Sequence, residues 1–182
     1  PSLSSFYWQG LRAGAPFFLV IGPFGLLFGV LAAEAGLNLF ETLSFSVVVI
    51  AGAAQFTALQ LLQDQAPTLV VLASALAVNL RMAMYSGGLP LWKRAIAAYF
   101  LVDQTYATAS IAFERRPEMT LSQKFAFFMG VMTPICPPWY AFSLLGALVG
   151  ESIPPEYGLD FALPIAFLAM IAPALRSGAH VV

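Results

Sequence analysis

An all-α fold, a polytopic transmembrane helical bundle with glycine- and proline-broken helices, is what this sequence predicts, and three observations carry the prediction. Hydrophobic residues make up 60% of the 182 and charged residues only 9%. Charges are missing altogether from residues 13–33, 42–63, 65–80 and 125–150. Several of these tracts reach the roughly 20 residues needed to cross a hydrocarbon core of about 30 Å. Prolines fall inside the apolar stretches as well as between them, at Pro16, Pro23, Pro134, Pro137 and Pro138. A soluble domain of this size has too little interior for so much apolar surface, so the lipid bilayer must be the solvent for most of these side chains.

Taken in order, the apolar stretches give six expected crossings in a single membrane domain over 1–182: 14–35, 44–63, 67–86, 95–113, 125–149 and 161–176. The first follows Arg12 and precedes Ala33-Glu34-Ala35, which imitates a signal-peptide cleavage site. It is longer than a signal h-region, carries two prolines and is followed by further membrane-length segments, so it reads as a crossing. Between the third and fourth, Gly-Gly-Leu-Pro-Leu-Trp-Lys-Arg at 87–94 reads as a loop or interfacial turn anchored by Trp92. The sixth is short, and the segment from Ala172 to Val182 makes a poor natural terminus, so a longer protein continuing past Val182 is expected.

Basic residues set the expected orientation. With the N-terminus in the cytoplasm, Arg12, Arg115, Arg116, Lys124 and Arg176 lie inside, while Glu34, Glu41, Glu151, Glu156 and Asp160 lie outside. Lys93 and Arg94 break this pattern, falling on the outer side. The net charge of −1 argues against nucleic acid, which requires clustered Lys and Arg. Cys136 and His180 are the sole cysteine and histidine, too few for a Cys/His zinc site or an internal disulfide, and no cofactor is expected. No Ser/His, paired-Asp or metal-ligand cluster lies within the spans, which argues against an enzyme.

A weak internal repeat runs through the chain. GVLAAE at 29–34 returns as GALVGE at 146–151, and FSVVVIAGAAQF at 45–56 as FALPIAFLAMIA at 161–172, an offset of 116 to 117 residues. Chance recurrence of small apolar residues is the competing explanation. Each copy opens on a Gly/Pro-interrupted stretch, Gly22-Pro23-Phe24-Gly25 and Thr133-Pro134-Ile135-Cys136-Pro137-Pro138. Paired interruptions of this kind point to a transporter's binding site, because a broken helix exposes backbone groups that protein, water or solute must satisfy. The end after Pro23, Phe24 and Gly25 is expected to offer free N–H groups to an anion such as an amino-acid carboxylate, against the alternative of a kink that only aids packing. Gln55, after the small residues 51–54, reads either as a polar ligand or as hydrogen-bonding glue between helices. Phe24, Phe28 and Phe56 read as walls of a site, as core, or as lipid-facing rings.

Arg81 and Asp103 sit inside expected crossings, where a charge costs at least about 2.5 kcal/mol. At 1.5 Å per residue, Arg81 lies roughly 7 Å from the midpoint of its span and Asp103 within about 2 Å of the midpoint of the next, so antiparallel neighbours bring them within reach. Three readings compete. Arg81 snorkels to the headgroups; or the two form a structural ion pair; or they serve a zwitterionic solute, Asp103 taking an ammonium group or exchanging a proton and Arg81 taking a carboxylate, with Asn79 helping to orient it.

The ordered set PFGLLFG at 23–29, AGAAQF at 51–56, NLRMAMYS at 79–86 and DQTYA at 103–107 resembles the AzlC family, the large subunit of branched-chain amino acid exporters. The resemblance spans about residues 8–176. Two positions depart from the family's usual pattern: Met82 stands where histidine is typical, and Gln104 where glutamate is typical. If those residues serve proton coupling in other members, this chain relies on Asp103 alone. The resemblance implies a secondary transporter that exports valine, leucine and isoleucine across a bacterial plasma membrane by alternating access, together with a small AzlD-like membrane protein subunit. A channel-like pore or a structural membrane subunit is the alternative.

Overall fold

The computed structural model describes residues 2–50, 52–65, 67, 90–150 and 152. Residues 68–86 and 161–176, which hold nearly all of two expected crossings, lie outside them. Among the described residues every regular element is helical: α1 (Leu3–Gly14), a 3₁₀ turn (Ala15–Phe17), α2 (Phe18–Glu34), α3 (Leu39–Val48), α4 (Gly52–Gln63), α5 (Leu91–Tyr99), α6 (Asp103–Arg115), α7 (Leu121–Met132) and α8 (Cys136–Gly150).

Two long segments form the scaffold. Leu3–Glu34 runs through α1 and α2, and Leu121–Gly150 through α7 and α8, and both are long and apolar enough to cross a membrane. Thirty-two residues of helix extend about 48 Å, which covers the hydrocarbon core and both headgroup layers. Local chemistry fixes the ends. The Ser2 hydroxyl accepts from the Ser5 amide at the start of α1, and Thr120 and Gln123 form a reciprocal cap on α7. Gly36, at φ 85°, ends α2: the Leu37 amide reaches back to the Ala32 carbonyl at 3.0 Å, a closure that needs a left-handed residue between.

The two segments lie side by side and parallel. Along α1, Gly10 faces the Phe127 carbonyl and Gly14 the Val131 carbonyl; along α2, Gly25 faces the Trp139 carbonyl, which a Cβ there would approach to 3.2 Å, and Gly29 that of Ser143. Gly130, Gly146 and Gly150 return these contacts from the other side, against Tyr7, Leu26 and Val30. A methyl group on Gly10, Gly29, Gly130 or Gly146 would collide with backbone, so the glycines set how closely the helices approach, as small residues do where lipid offers no hydrophobic drive to associate. Residue pairs such as Gly10 with Phe127, Gly14 with Val131 and Ala33 with Gly150 stand 117 apart, so the packing register coincides with the offset of the weak sequence repeat.

The other described helices form two folded-back pairs. In α3–α4 the rings of Phe45 and Phe56 both rest on Phe28, at 5.8 and 5.9 Å. In a straight helix those rings would be about 16 Å apart along the axis. The chain therefore turns between α3 and α4, and the single crossing expected over 44–63 is instead two shorter helices. In α5–α6, Trp92 at one end touches Phe125, at 6.3 Å, and Phe113 at the other touches Phe127, at 6.1 Å. Both arms thus begin and end beside the first turns of α7, with the bend at Phe100–Val102 between them. Two expectations change accordingly. Residues 95–113 do not form one straight crossing, and Lys93, whose Nζ lies 5.2 Å from the Phe125 ring, sits on the same end as Lys124 rather than across the molecule from it. The physical reason is length: nine and thirteen residues extend about 14 and 20 Å, short of the core thickness.

Candidate functional site

The fold-back of α3–α4 encloses a buried aromatic and polar centre. Phe28, fully buried, stacks on Trp139 at 6.2 Å and meets Phe56 edge-on; Phe24 meets Phe56 at 6.4 Å. Gly52, the first residue of α4, lies against the same indole: a Cβ there would stand 3.2 Å from the Trp139 ring. Gln55, one turn on, is fully buried, and its Nε2 donates to Ser46 Oγ at 3.2 Å. These two partners stand nine positions apart in sequence, a distance that only the bend between α3 and α4 closes.

Among the described residues, four buried side-chain atoms in this region have no hydrogen-bond partner: Thr42 Oγ1, Gln55 Oε1, Trp139 Nε1 and Ser143 Oγ. Thr42 and Ser46 are four residues apart on α3, and Trp139 and Ser143 four apart on α8, so each pair lies on one helix face, and α3 packs against α8. A buried polar atom left unpaired costs about 1–3 kcal/mol. Four in one neighbourhood mark a polar centre left unsatisfied by the described residues.

The bends are treated differently. The Thr105 hydroxyl, buried, lies against the Phe100 and Val102 carbonyls at 2.9 and 2.8 Å, so the α5–α6 bend caps itself. The Tyr99 hydroxyl crosses to the other pair and donates to the Val47 carbonyl, which α3 leaves free at its end. Having spent its one proton there, Tyr99 accepts from the Tyr140 hydroxyl at 3.0 Å. The tips of the two folded-back pairs therefore meet on α8, near the middle of the long segment. At the third interruption, Thr133 Oγ1 donates to the Met129 carbonyl at 2.8 Å and accepts from Tyr7 at 3.0 Å.

The expected site residues distribute as follows. Gln55 and the rings of Phe24, Phe28 and Phe56 come together at the buried centre. Asp103 lies at the α5–α6 tip, exposed, in the first turn of α6, where a carboxylate complements the helix dipole. Asn79 and Arg81, and with Arg81 its expected pairing to Asp103, lie outside the described residues. The break expected at Pro23, Phe24 and Gly25 is absent: α2 runs unbroken through Pro23, so no free N–H groups arise there. Pro23 is exposed, and its missing amide removes one bond on the side facing away from α8, while Gly22 and Gly25 bury against Phe142 and Trp139. The break at Thr133–Ile135 is present, with Pro137 and Pro138 in the first turn of α8, where their absent amides cost nothing. Sequence reasoning passed over Thr42, Ser46, Trp139 and Ser143, although polar residues spaced by four within apolar helices are a readable sign of a polar face. Among the described residues no three His, Cys, Asp or Glu side chains gather as a metal site.

A family model described as AzlC protein matches residues 16–153 of this chain. An uncharacterized membrane protein of Helicobacter pylori is 29% identical over 154 residues, covering 80% of this chain and 65% of that protein, so the chain spans just under two thirds of that relative. An uncharacterized membrane protein of Archaeoglobus fulgidus is 26% identical over 188 residues, covering 99% of this chain and 80% of the relative. Inner membrane protein YgaZ of Escherichia coli is 22% identical over 186 residues, covering 95% and 75%. No solved structure matches.

Proposed function

This chain belongs to the AzlC protein family, and from that premise we propose that it is the larger subunit of a secondary transporter that exports branched-chain amino acids across the bacterial plasma membrane. Its N-terminus faces the cytoplasm and it works with a small AzlD-like membrane protein subunit. The observation that carries the reading is the folded-back α3–α4 pair, which buries Gln55 among Phe24, Phe28, Phe56 and Trp139 with polar atoms left for a solute to satisfy. Interrupted helices near mid-depth, closing on a small polar centre within apolar walls, suit a zwitterion with an aliphatic side chain.

In this reading the glycine-packed scaffold of 3–34 and 121–150 stays rigid, and the two folded-back pairs move against it to open the centre to one side and then the other. The solute crosses without covalent chemistry. Asp103, at the tip of α5–α6, handles the ammonium group or a proton; Arg81 and Asn79 complete the polar lining.

Export of labelled valine from preloaded cells tests this, comparing the protein alone, with its small partner, and with Asp103→Asn plus partner. The expected result is partner-dependent efflux that the variant loses while still inserting and co-purifying. Absence of valine efflux under every condition would remove the substrate from the proposal.

A further inference from the structure

We propose that the seams between the α5–α6 pair and the first turn of α7 bind the headgroup of an anionic phospholipid, with Lys93 and Lys124 on its phosphate and Leu91, Trp92 and Leu121 against its acyl chains. The inference stands apart from the amino-acid reading, since it concerns the bilayer and not the solute. The two arms of the folded-back pair straddle α7, and each seam holds one lysine. From α5, the Lys93 ammonium lies 5.2 Å from the ring of its neighbour Trp92 and 5.2 Å from that of Phe125 on α7. From α7, the Lys124 ammonium lies 5.5 Å from the ring of Phe113, in the last turn of α6. Lys124 and Phe125 are consecutive, so both seams open on the same turn of α7. Both lysines are half-buried, yet among the described residues neither meets a carboxylate. An aromatic face holds a cation through its quadrupole and leaves the ammonium's N–H donors for another acceptor.

The charge around the seams has the same sign. Arg94 follows Lys93, and Arg115 and Arg116 close off α6, against the exposed carboxylates of Glu114 and Glu118. Arg116 ties this end to α1, donating to Gln9 at 2.6 Å. From there α1 and α2 lead to the opposite end, where Glu34 finishes α2 and Glu41 sits in the first turn of α3. The basic end is the one that an anionic leaflet attracts. Apolar exposure decides the class of anion. Leu91 is 82% exposed, Trp92 59% and Leu121 52%, each within one turn of a seam lysine. A free phosphate would leave these side chains in water. A phospholipid covers them while its phosphate meets the ammonium groups, with tryptophan and lysine at headgroup depth.

The full-length protein in detergent is titrated with phosphatidylglycerol, phosphatidylcholine and glycerol phosphate, and bound lipid is counted by native mass spectrometry. Phosphatidylglycerol should bind more tightly than phosphatidylcholine, and glycerol phosphate should fail to displace it. Lys93→Gln/Lys124→Gln should weaken phosphatidylglycerol about five-fold for each lysine lost, the worth of one basic residue at an anionic surface. Arg94→Gln/Arg115→Gln removes the same net charge outside the seams and should cost clearly less, while Lys93→Arg/Lys124→Arg should retain binding. A second readout leaves both lysines in place. In Trp8→Phe, where Trp92 is the exposed indole and Trp139 is buried, brominated phosphatidylglycerol should quench emission more than brominated phosphatidylcholine. Equal binding of the two lipids, equal loss in the two neutralised pairs, equal quenching, or displacement by glycerol phosphate overturns the inference. Lipid binding that vanishes when the small partner subunit is added also overturns it, and gives the seams to protein. No arm reads valine export, so a failure of that reading leaves this one standing.

Discussion

The two folded-back helix pairs meet tip to tip, yet only one of them is complete in itself. At the α5–α6 bend, the buried Thr105 hydroxyl lies against the carbonyls of Phe100 and Val102, which also accept from the Val102 and Tyr106 amides, and the bend needs nothing further. At the α3–α4 bend, the Val47 carbonyl borrows the hydroxyl of Tyr99 from the other pair, and Gln55 is left with one edge bonded and the other unpaired. On the proposed function, that difference separates support from binding. A bend that satisfies its own backbone holds a shape, whereas a bend that buries unpaired polar atoms at a cost of about 1–3 kcal/mol each is stable only because the scaffold holds it, and it is poised to gain from a ligand.

The largest effect that sharpens this contrast is expected from the double variant Ser46→Ala/Gln55→Leu. Replacing both partners of a buried hydrogen bond with apolar groups is nearly neutral for stability, so the protein should accumulate and melt as the parent does. Valine export should nevertheless fall by about 10- to 100-fold, since a polar contact to a charged group is worth about 1.5–3 kcal/mol. Stability lost together with transport would show that Gln55 is structural and that the two bends are alike. A smaller and opposite effect is expected from Thr105→Val, which removes the hydroxyl's hydrogen bond while the Phe100 and Val102 carbonyls keep the Val102 and Tyr106 amides. It should destabilise by about 0.5–1.5 kcal/mol, seen as a lower melting temperature, with the affinity for valine unchanged. A raised KM at normal stability would break the contrast from the other side.

The helical class, the interruption at Thr133–Pro138 and the hydrogen bonding of Gln55 to a neighbouring helix were legible in the sequence because each rests on local chemistry. Proline cannot donate, and three prolines within five positions cannot share a helix interior. The two fold-backs were not legible, for a reason visible in the residues. Val47, Val48, Val49 and Ile50 are four β-branched residues in succession, poor helix formers, but they are also among the most lipid-compatible residues, so a hydrophobicity reading counts them as the middle of a span. Asp103 misled in the same way. Placed in the first turn of α6, it marks a helix start, and within an apolar run it reads as a buried charge. Pro23 erred in the opposite direction: a proline on the exposed face of α2 costs one outward hydrogen bond and leaves the packing with α8 intact.

The smallest energetic effect tests the geometry on which the contrast depends. If α5–α6 folds back, Lys93 and Lys124 share one end of the molecule, as the approach of Lys93 Nζ to the ring of Phe125 requires. Lys93→Gln removes contacts to Trp92 and Phe125 that are worth only about 0.5–1 kcal/mol at exposed sites. Stability and export should barely change. The positions themselves are more informative. Single cysteines at 93 and 124, in a Cys136→Ser background, should both react with a membrane-impermeant thiol reagent from the same side of sealed, oriented vesicles. Reaction from opposite sides would require α5 and α6 to cross the bilayer as one helix, which would separate Trp92 from Phe125 and carry Tyr99 away from Val47. The α3–α4 bend would then lose the hydroxyl that caps it, and the two tips would no longer meet.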